Sequence, residues 1–248
     1  MKSVGVYNLK GGVGKSTTAV NLACLAARDG EQTLLWDLDP QGAAGYYLGA
    51  AGPDGKGSRK LIRGSRSLSE LAVETRYPNL DIVPSRLSYR KLDRRLEQRR
   101  RPRSVVREIL DSLPGSYRWV FLDCPAGISL LAENVFRAVD LLLVPLVPTP
   151  LSLRAFEEIV VFFQERDLER ARIIPFFSLV ERRKRIHRET MEIFRAREDR
   201  LLRSVIPSLS DIEKMAATRR PVAHYRPRSE AGLAFRALWE EVREYMQS

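Results

Sequence analysis

The chain has 248 residues, 44% of them hydrophobic and 29% charged, and its 42 Lys and Arg against 31 Asp and Glu leave a formal charge of +11 at pH 7. This is a globular, basic composition whose length suits one α/β domain over residues 1–248. No apolar run approaches the roughly 18 residues that span a bilayer and no signal-like segment opens the chain, so neither stable membrane insertion nor secretion is expected.

Short β-branched and apolar runs recur at Val4–Asn8, Thr33–Asp37, Leu80–Pro84, Trp119–Asp123, Leu141–Pro145 and Arg172–Phe177, with amphipathic helical stretches between most of them. The alternation predicts an α/β fold, a mostly parallel twisted sheet with helices on both faces. Trp119-Val120-Phe121-Leu122 is apolar at every position, which suits a central strand buried on both sides. Ala50 to Arg66, rich in Gly and Ser with Pro53, reads as a basic surface loop. Ser67-Leu68-Ser69-Glu70 reads as a capping box opening a short helix. Ser229 opens a closing helix with an apolar stripe at Phe235, Leu238, Trp239, Val242 and Tyr245. Cys24 and Cys124 are far apart and lack metal-type spacing, which argues against a disulfide framework or a zinc site and fits a reducing cytosol.

The first strand leads into Asn8-Leu9-Lys10-Gly11-Gly12-Val13-Gly14-Lys15-Ser16-Thr17, and a helical pattern at Val20, Leu22, Ala23, Leu25 and Ala26 follows at once. Consecutive backbone N–H groups can wrap phosphate oxygens only where side chains leave them open, which explains Gly11, Gly12 and Gly14. The following helix adds its positive end. In this pattern Lys15 neutralises phosphate charge and the Ser16 hydroxyl holds Mg²⁺, with Lys10, Val13 and Thr17 completing the loop. A standard phosphate loop has Gly where this chain has Leu9, and here a second lysine, Lys10, comes next.

With that deviant Walker A loop the sequence resembles the ParA/MinD family of signature-lysine P-loop ATPases. The likeness continues in Asp37-Leu38-Asp39-Pro40-Gln41-Gly42, similar to the family's switch I, and in Phe121-Leu122-Asp123-Cys124-Pro125-Ala126-Gly127, similar to its Walker B and switch II. Val144-Pro145-Leu146-Val147-Pro148-Thr149-Pro150 resembles the strand and loop after it, and the C-terminal third looks more like ParA than MinD. The resemblance implies a Mg²⁺-dependent ATP hydrolase in which two subunits sandwich two nucleotides and Lys10 crosses to the partner's phosphates. It also implies that Asp39 orients the attacking water, that Asp37 supports the metal shell and that Asp123 reaches Mg²⁺ through a water. Pro148, Thr149 and Pro207 fall where the family places loops around the adenine. Cys124 follows the Walker B aspartate where relatives often have Thr, and reads as a buried small residue.

Arg90 to Arg103 hold eight basic and two acidic residues, Arg182 to Arg188 hold five basic residues and His187, and Lys214, Arg219 and Arg220 form a third group. Lys and Arg contacts to phosphates release counterions and give sequence-independent, salt-sensitive binding to double-stranded DNA. The resemblance implies that C-terminal basic positions form the DNA face of the dimer. Arg182, Arg183, Arg185, Arg203 and Arg219 are the first candidates, followed by Arg94, Arg95 and Arg99–Arg101. Ser208 stands where many relatives carry a basic residue. The implied protein is cytoplasmic and nucleoid-associated, and answers to a partner that stimulates hydrolysis. Its cargo would be a plasmid, a chromosome origin or a protein assembly. The phosphate loop begins by residue 8, so no added helix-turn-helix for operator recognition is expected.

Two rivals make different demands. A MinD-like membrane-associated positioning ATPase needs a terminal amphipathic helix with a cationic polar face, and the last helix sets Glu240, Glu241 and Glu244 against Arg236 and Arg243. A metal-cluster carrier sharing the loop would bridge subunits with cysteines, yet Cys24 falls in the first helix.

Overall fold

The computed structural model describes residues 1–50, 57–85, 87–168 and 173–247. Strands β1 (Lys2–Val6), β2 (Thr33–Asp37), β3 (Val73–Glu74), β4 (Leu80–Val83), β5 (Trp119–Asp123), β6 (Leu141–Leu146), β7 (Ile173–Val180) and β8 (Val205–Pro207) form one sheet in the order β3-β4-β2-β5-β1-β6-β7-β8. Neighbours are parallel except β3, which runs antiparallel to β4 at the edge. The helices are α1 (Lys15–Arg28), α2 (Ala43–Leu48), α3 (Gly57–Ile62), α4 (Leu92–Glu97), α5 (Val105–Asp111), α6 (Leu130–Ala138), α7 (Pro150–Glu165), α8 (Arg185–Arg195), α9 (Ser210–Thr218), α10 (Val222–Tyr225) and α11 (Glu230–Tyr245).

Side chains alternate between the two faces of each strand, so the apolar strands feed two cores. Trp119 and Phe121 of β5 join Leu141 and Leu143 of β6 under α1, α10 and α11. Val120 and Leu122 join Leu142 and Val144 under α4, α5, α6 and α7. Because β2 lies on one side of β1 and β6 on the other, strand order reverses beside β1. In open α/β sheets such a switch point, at the carboxyl ends of the strands, is where ligands bind.

The six expected strands are present, with Asn8 and Pro84 just beyond β1 and β4; Arg172 lies outside the described residues. The sequence pattern misses β3 and β8, which are too short to show a period of two. The expected loop from Ala50 to Arg66 is corrected over part of its length. Residues 57–62 form α3, with Leu61 and Ile62 buried in the core, so tertiary burial overrides the Gly and Ser content; residues 51–56 lie outside the described residues. The capping box forms, Glu70 N donating to Ser67 Oγ at 3.2 Å and Ser67 N to Glu70 Oε1 at 3.3 Å, but it opens only a 3₁₀ turn at Ser69–Leu71. Ser229 Oγ accepts from Gly232 N at 3.2 Å, and Phe235, Leu238, Trp239 and Val242 behind it are fully buried. Tyr245, expected on that stripe, is 39% exposed at the helix end.

Candidate functional site

The loop between β1 and α1 is fastened by Asn8. Its fully buried side chain donates from Nδ2 to Pro145 O at 2.8 Å and accepts at Oδ1 from Lys10 N at 2.9 Å, tying the loop to β6. Gly12 and Gly14 have φ of 73° and 94°, values that favour glycine. A Cβ on Gly14 would lie 2.9 Å from Ser178 Oγ. Gly11 has neither a positive φ nor a close neighbour, so the fold itself leaves that position open to a side chain.

Gly14 precedes α1 without a side-chain cap, and the first turn of α1 holds no acidic residue. The unpaired N–H groups and the positive helix end are therefore free for an anion. Lys15 is only 6% exposed and donates from Nζ to Lys10 O at 2.9 Å, a neutral partner that a phosphate oxygen can replace. Burial lowers its pKa, opposed by the charges of Asp123 and Asp39. The Lys10 side chain is half-buried and makes no hydrogen bond or ion pair among the described residues.

Asp37 and Asp123 end the adjacent strands β2 and β5 as direct register partners, and both are fully buried. Asp37 Oδ1 accepts from Asp39 N at 3.2 Å and Oδ2 from Gly45 N at 3.1 Å. Neither Asp123 oxygen has a partner in good hydrogen-bonding geometry. Burial above all, then the charge of Asp37, pushes the Asp123 pKa well above the usual carboxylate range, while the Ser16 hydroxyl pulls the other way. Burial, reinforced by Asp39, pushes Asp37 up to about 7 against the Gly45 hydrogen bond.

Two adjacent buried carboxylates, one of them unpartnered, are costly without a cation. No group of three His, Cys, Asp or Glu side chains forms a metal cage among the described residues. A carboxylate and a hydroxyl beside a phosphate loop fit Mg²⁺, which takes few protein ligands and shares the rest with waters and phosphates. Asp39 is half-buried and its Oδ1 accepts from Gln41 N at 2.9 Å, while its charge is felt at both Lys15 and Asp123.

The sequence-level reading gives Asn8 no role, although a polar residue closing an apolar strand just before the loop is its signal. Tyr7 is a second omission, its hydroxyl donating to Gly127 O at 3.1 Å and tethering the segment after Asp123. Pro148 is buried, Thr149 directly precedes α7 and Pro207 closes β8 beside Val180, so all three lie at the loop's edge of the sheet with β7 between them. Cys124 is buried as expected and donates weakly to Leu122 O at 3.6 Å. Burial raises both thiols, Cys24 to about 12, which disfavours the thiolates a metal cluster requires.

Residues 1–172 match the family model described as an AAA domain. Over 259 aligned residues the chain is 28% identical to the chromosome partitioning protein ParA of Caulobacter vibrioides, an alignment that covers 98% of this chain and 94% of that protein. The chain belongs to this family, as a ParA/MinD-type P-loop ATPase. Its fold recurs in a putative plasmid partition protein from Borrelia burgdorferi bound to AMPPNP, with a TM-score of 0.84, 18% identity and 98% of each chain covered. It recurs too in cobyrinic acid a,c-diamide synthase from Mycobacterium smegmatis with bound ATP analog and magnesium, with a TM-score of 0.80, 22% identity and coverage of 100% of this chain and 96% of that one. One fold thus serves partition proteins and a synthase, so function has to be argued from the site.

In this ParA/MinD-type ATPase, Arg182, Arg183 and Arg185 are exposed where β7 gives way to α8. Arg182 Nη2 lies 3.7 Å from Glu230 and Arg185 Nε 2.6 Å from Glu189. Arg219 ends α9 with its guanidinium 4.7 Å from the Tyr46 ring centroid. Arg203 N donates to Glu241 Oε2 at 2.8 Å. Glu230 and Glu241 are roughly 16 Å apart along α11, so the Arg203 backbone stands well away from the Arg182 group. The apolar stripe of α11 is buried on the sheet, and no helix among the described residues is long and apolar enough to cross a membrane.

Asp123→Asn is expected to stabilise the nucleotide-free protein by about 1–2 kcal/mol at neutral pH, because it removes a buried carboxylate that the Ser16 hydroxyl and the Lys15 charge compensate only in part. A raised carboxyl pKa costs nothing below the unfolded value and erodes stability as pH climbs toward the folded one. The gain should therefore grow from acid to neutral pH. Thermal melts across pH, with and without Mg²⁺-ATP, check this. If Asp123 holds Mg²⁺, as proposed below, Asn should also lose any stabilisation by Mg²⁺-ATP, and a destabilised Asn variant would contradict the reading.

Proposed function

We propose that this ATPase binds ATP with Mg²⁺, closes into an ATP-dependent homodimer, and in that state binds double-stranded DNA without sequence preference until a partner protein stimulates hydrolysis. It would thereby segregate or position DNA or another cargo, working in the cytoplasm on the nucleoid. The observation that carries this reading is Lys10, a second loop lysine whose side chain has no partner among the described residues, while Lys15 already points into its own loop. Lys10 is then free to reach the phosphates of a facing subunit, as an arginine finger does.

The loop from Lys10 to Thr17 holds the phosphates, and Pro148, Thr149 and Pro207 line the adenine side. Ser16 and Asp123 would hold Mg²⁺, with Asp37 supporting them; the ion, when bound, neutralises charge on the phosphate oxygens. Asp39 orients the attacking water. The AMPPNP of the Borrelia protein and the ATP analog with magnesium of the Mycobacterium synthase support this assignment.

Arg182, Arg183, Arg185, Arg203 and Arg219 form the DNA face, supported by the net charge of +11. Changing Arg182, Arg183 and Arg185 together to Glu should weaken binding to two unrelated duplexes alike. Each lost phosphate contact should flatten the slope of log affinity against log salt by about 0.9, with ATP affinity unchanged. Equal DNA affinity in variant and wild type would remove these residues from the face.

A further inference from the structure

A second concentration of positive charge lies elsewhere. α3 and α4 bury Leu61, Ile62, Leu92 and Leu96 in the core on the sheet face opposite α1, α9, α10 and α11. Tyr89, just before α4, accepts at its hydroxyl from Trp36 Nε1 at 3.3 Å, which places this pair of helices over β2 and far from the β7 and β8 edge that carries Arg182 and Arg203. With their apolar sides committed, the two helices and the residues flanking them place Arg59, Arg63, Lys91, Arg94, Arg95 and Arg99 along one cavity of about 380 Å³. Its remaining lining residues are Ile62 and Gln98, so no carboxylate lines it among the described residues.

Among the described residues, four of these six cations have no acid partner. Arg99 is paired, with Nη2 3.3 Å from Glu108. Arg59, Arg63, Lys91 and Arg94 make no ion pair among the described residues. Asp93 of α4 is committed elsewhere, its Oδ1 accepting from Leu131 N at 2.8 Å. Arg95 shows the crowding, its pKa lowered by burial and then by the charge of Arg59. A solvated basic helix spreads its charges over a convex face, whereas these two helices converge theirs on a hollow. The volume falls in the range of small-molecule sites, roughly 300–1,000 Å³. A hollow of that size admits a compact anion more readily than the rod-like backbone of a duplex, whose phosphates are best met by an open surface.

We propose that the cavity between α3 and α4 is a second anion site, separate from the nucleotide loop and from the C-terminal arginines, which binds a small molecule bearing a compact oligophosphate chain. Guanidinium groups from two helices would form charge-assisted, bidentate hydrogen bonds to its oxygens.

The test uses inorganic tripolyphosphate, titrated by calorimetry without Mg²⁺ into full-length protein carrying Lys15→Ala, which disables the nucleotide loop. One tripolyphosphate should bind per chain. Adding Arg59→Gln, Arg63→Gln and Arg94→Gln, all exposed positions, should weaken it by about tenfold or more. Adding the Arg182, Arg183 and Arg185 to Glu changes instead should leave it within about twofold. If the triple Gln variant melts early, Arg94→Gln alone serves, with a loss of about threefold expected. Absent binding, binding unmoved by the Gln changes, or equal losses in both sets would overturn the site. So would a 24-base-pair duplex that loses as much affinity from the Gln changes as tripolyphosphate does, since the cavity would then belong to a DNA surface.

Discussion

Lys15→Ala is expected to abolish detectable ATP binding, a loss of about 3 kcal/mol or more, which is at least a hundredfold in affinity. Lys15 is the cation turned into the loop, 6% exposed and 2.9 Å from Lys10 O. Burial already lowers its pKa, so its ammonium is poorly solvated and gains strongly from a phosphate oxygen in place of a neutral carbonyl. Lys10 is the other loop lysine, but its backbone is fixed by Asn8 and its side chain is not drawn into the hollow by any bond among the described residues. Ala at position 15 removes that charge while leaving Asn8 and the two left-handed glycines to hold the loop. Fluorescence titration with a labelled ATP analogue measures the loss, and a melting temperature near wild type separates it from unfolding. Unchanged affinity would remove the loop from nucleotide binding.

Asp39→Ala is expected to bind ATP with near wild-type affinity and to hydrolyse it more slowly by about 10² or more. Asp39 lies just past the end of β2, with one oxygen held by Gln41 N and its charge felt at Lys15 and Asp123. In the proposed mechanism Asp39 orients a water toward the phosphates from that position without forming part of their cradle. Its removal also relieves a negative neighbour of both Asp37 and Asp123, so metal and nucleotide binding should not suffer. The ATP-bound dimer should then accumulate, since its exit by hydrolysis is slowed. Single-turnover hydrolysis and light scattering together check the split. Wild-type turnover would take Asp39 out of the mechanism, and lost binding would make it a ligand.

The parts of the site written in local sequence were the ones that could be read. Gly12 and Gly14 lie in the loop, Lys15 and Ser16 open α1 behind it, and Asp37 and Asp123 each close an apolar strand, so the pattern places them at element ends, while the roles of the two aspartates come from the family resemblance. What the sequence did not disclose depends on partners distant along the chain. Asn8 matters because Pro145, 137 residues away, offers it a carbonyl. Ser178 constrains Gly14 through packing between β7 and the loop, which no periodicity encodes. Glycine and serine content suggests a loop where α3 forms, whereas the burial of Leu61 and Ile62 decides its conformation. The basic run before residue 103 was visible as charge, but its convergence with Arg59 and Arg63 required α3 and α4 side by side. The trans role proposed for Lys10 rests on family likeness, since its side chain makes no hydrogen bond or ion pair among the described residues.

The central claim is that ATP, by pairing two chains, creates the DNA-binding state. The direct measurement is the affinity of the wild-type protein for two unrelated duplexes, with Mg²⁺-ATP, with Mg²⁺-ADP and without nucleotide, at several salt concentrations. Linkage requires that a dimer contacting twice as many phosphates show a steeper salt dependence, by about 0.9 in slope for each added contact. Tight binding to both duplexes alike with ATP only, with that steeper slope, is the predicted result. Equally tight binding with ADP, or strong preference for one duplex, would contradict it.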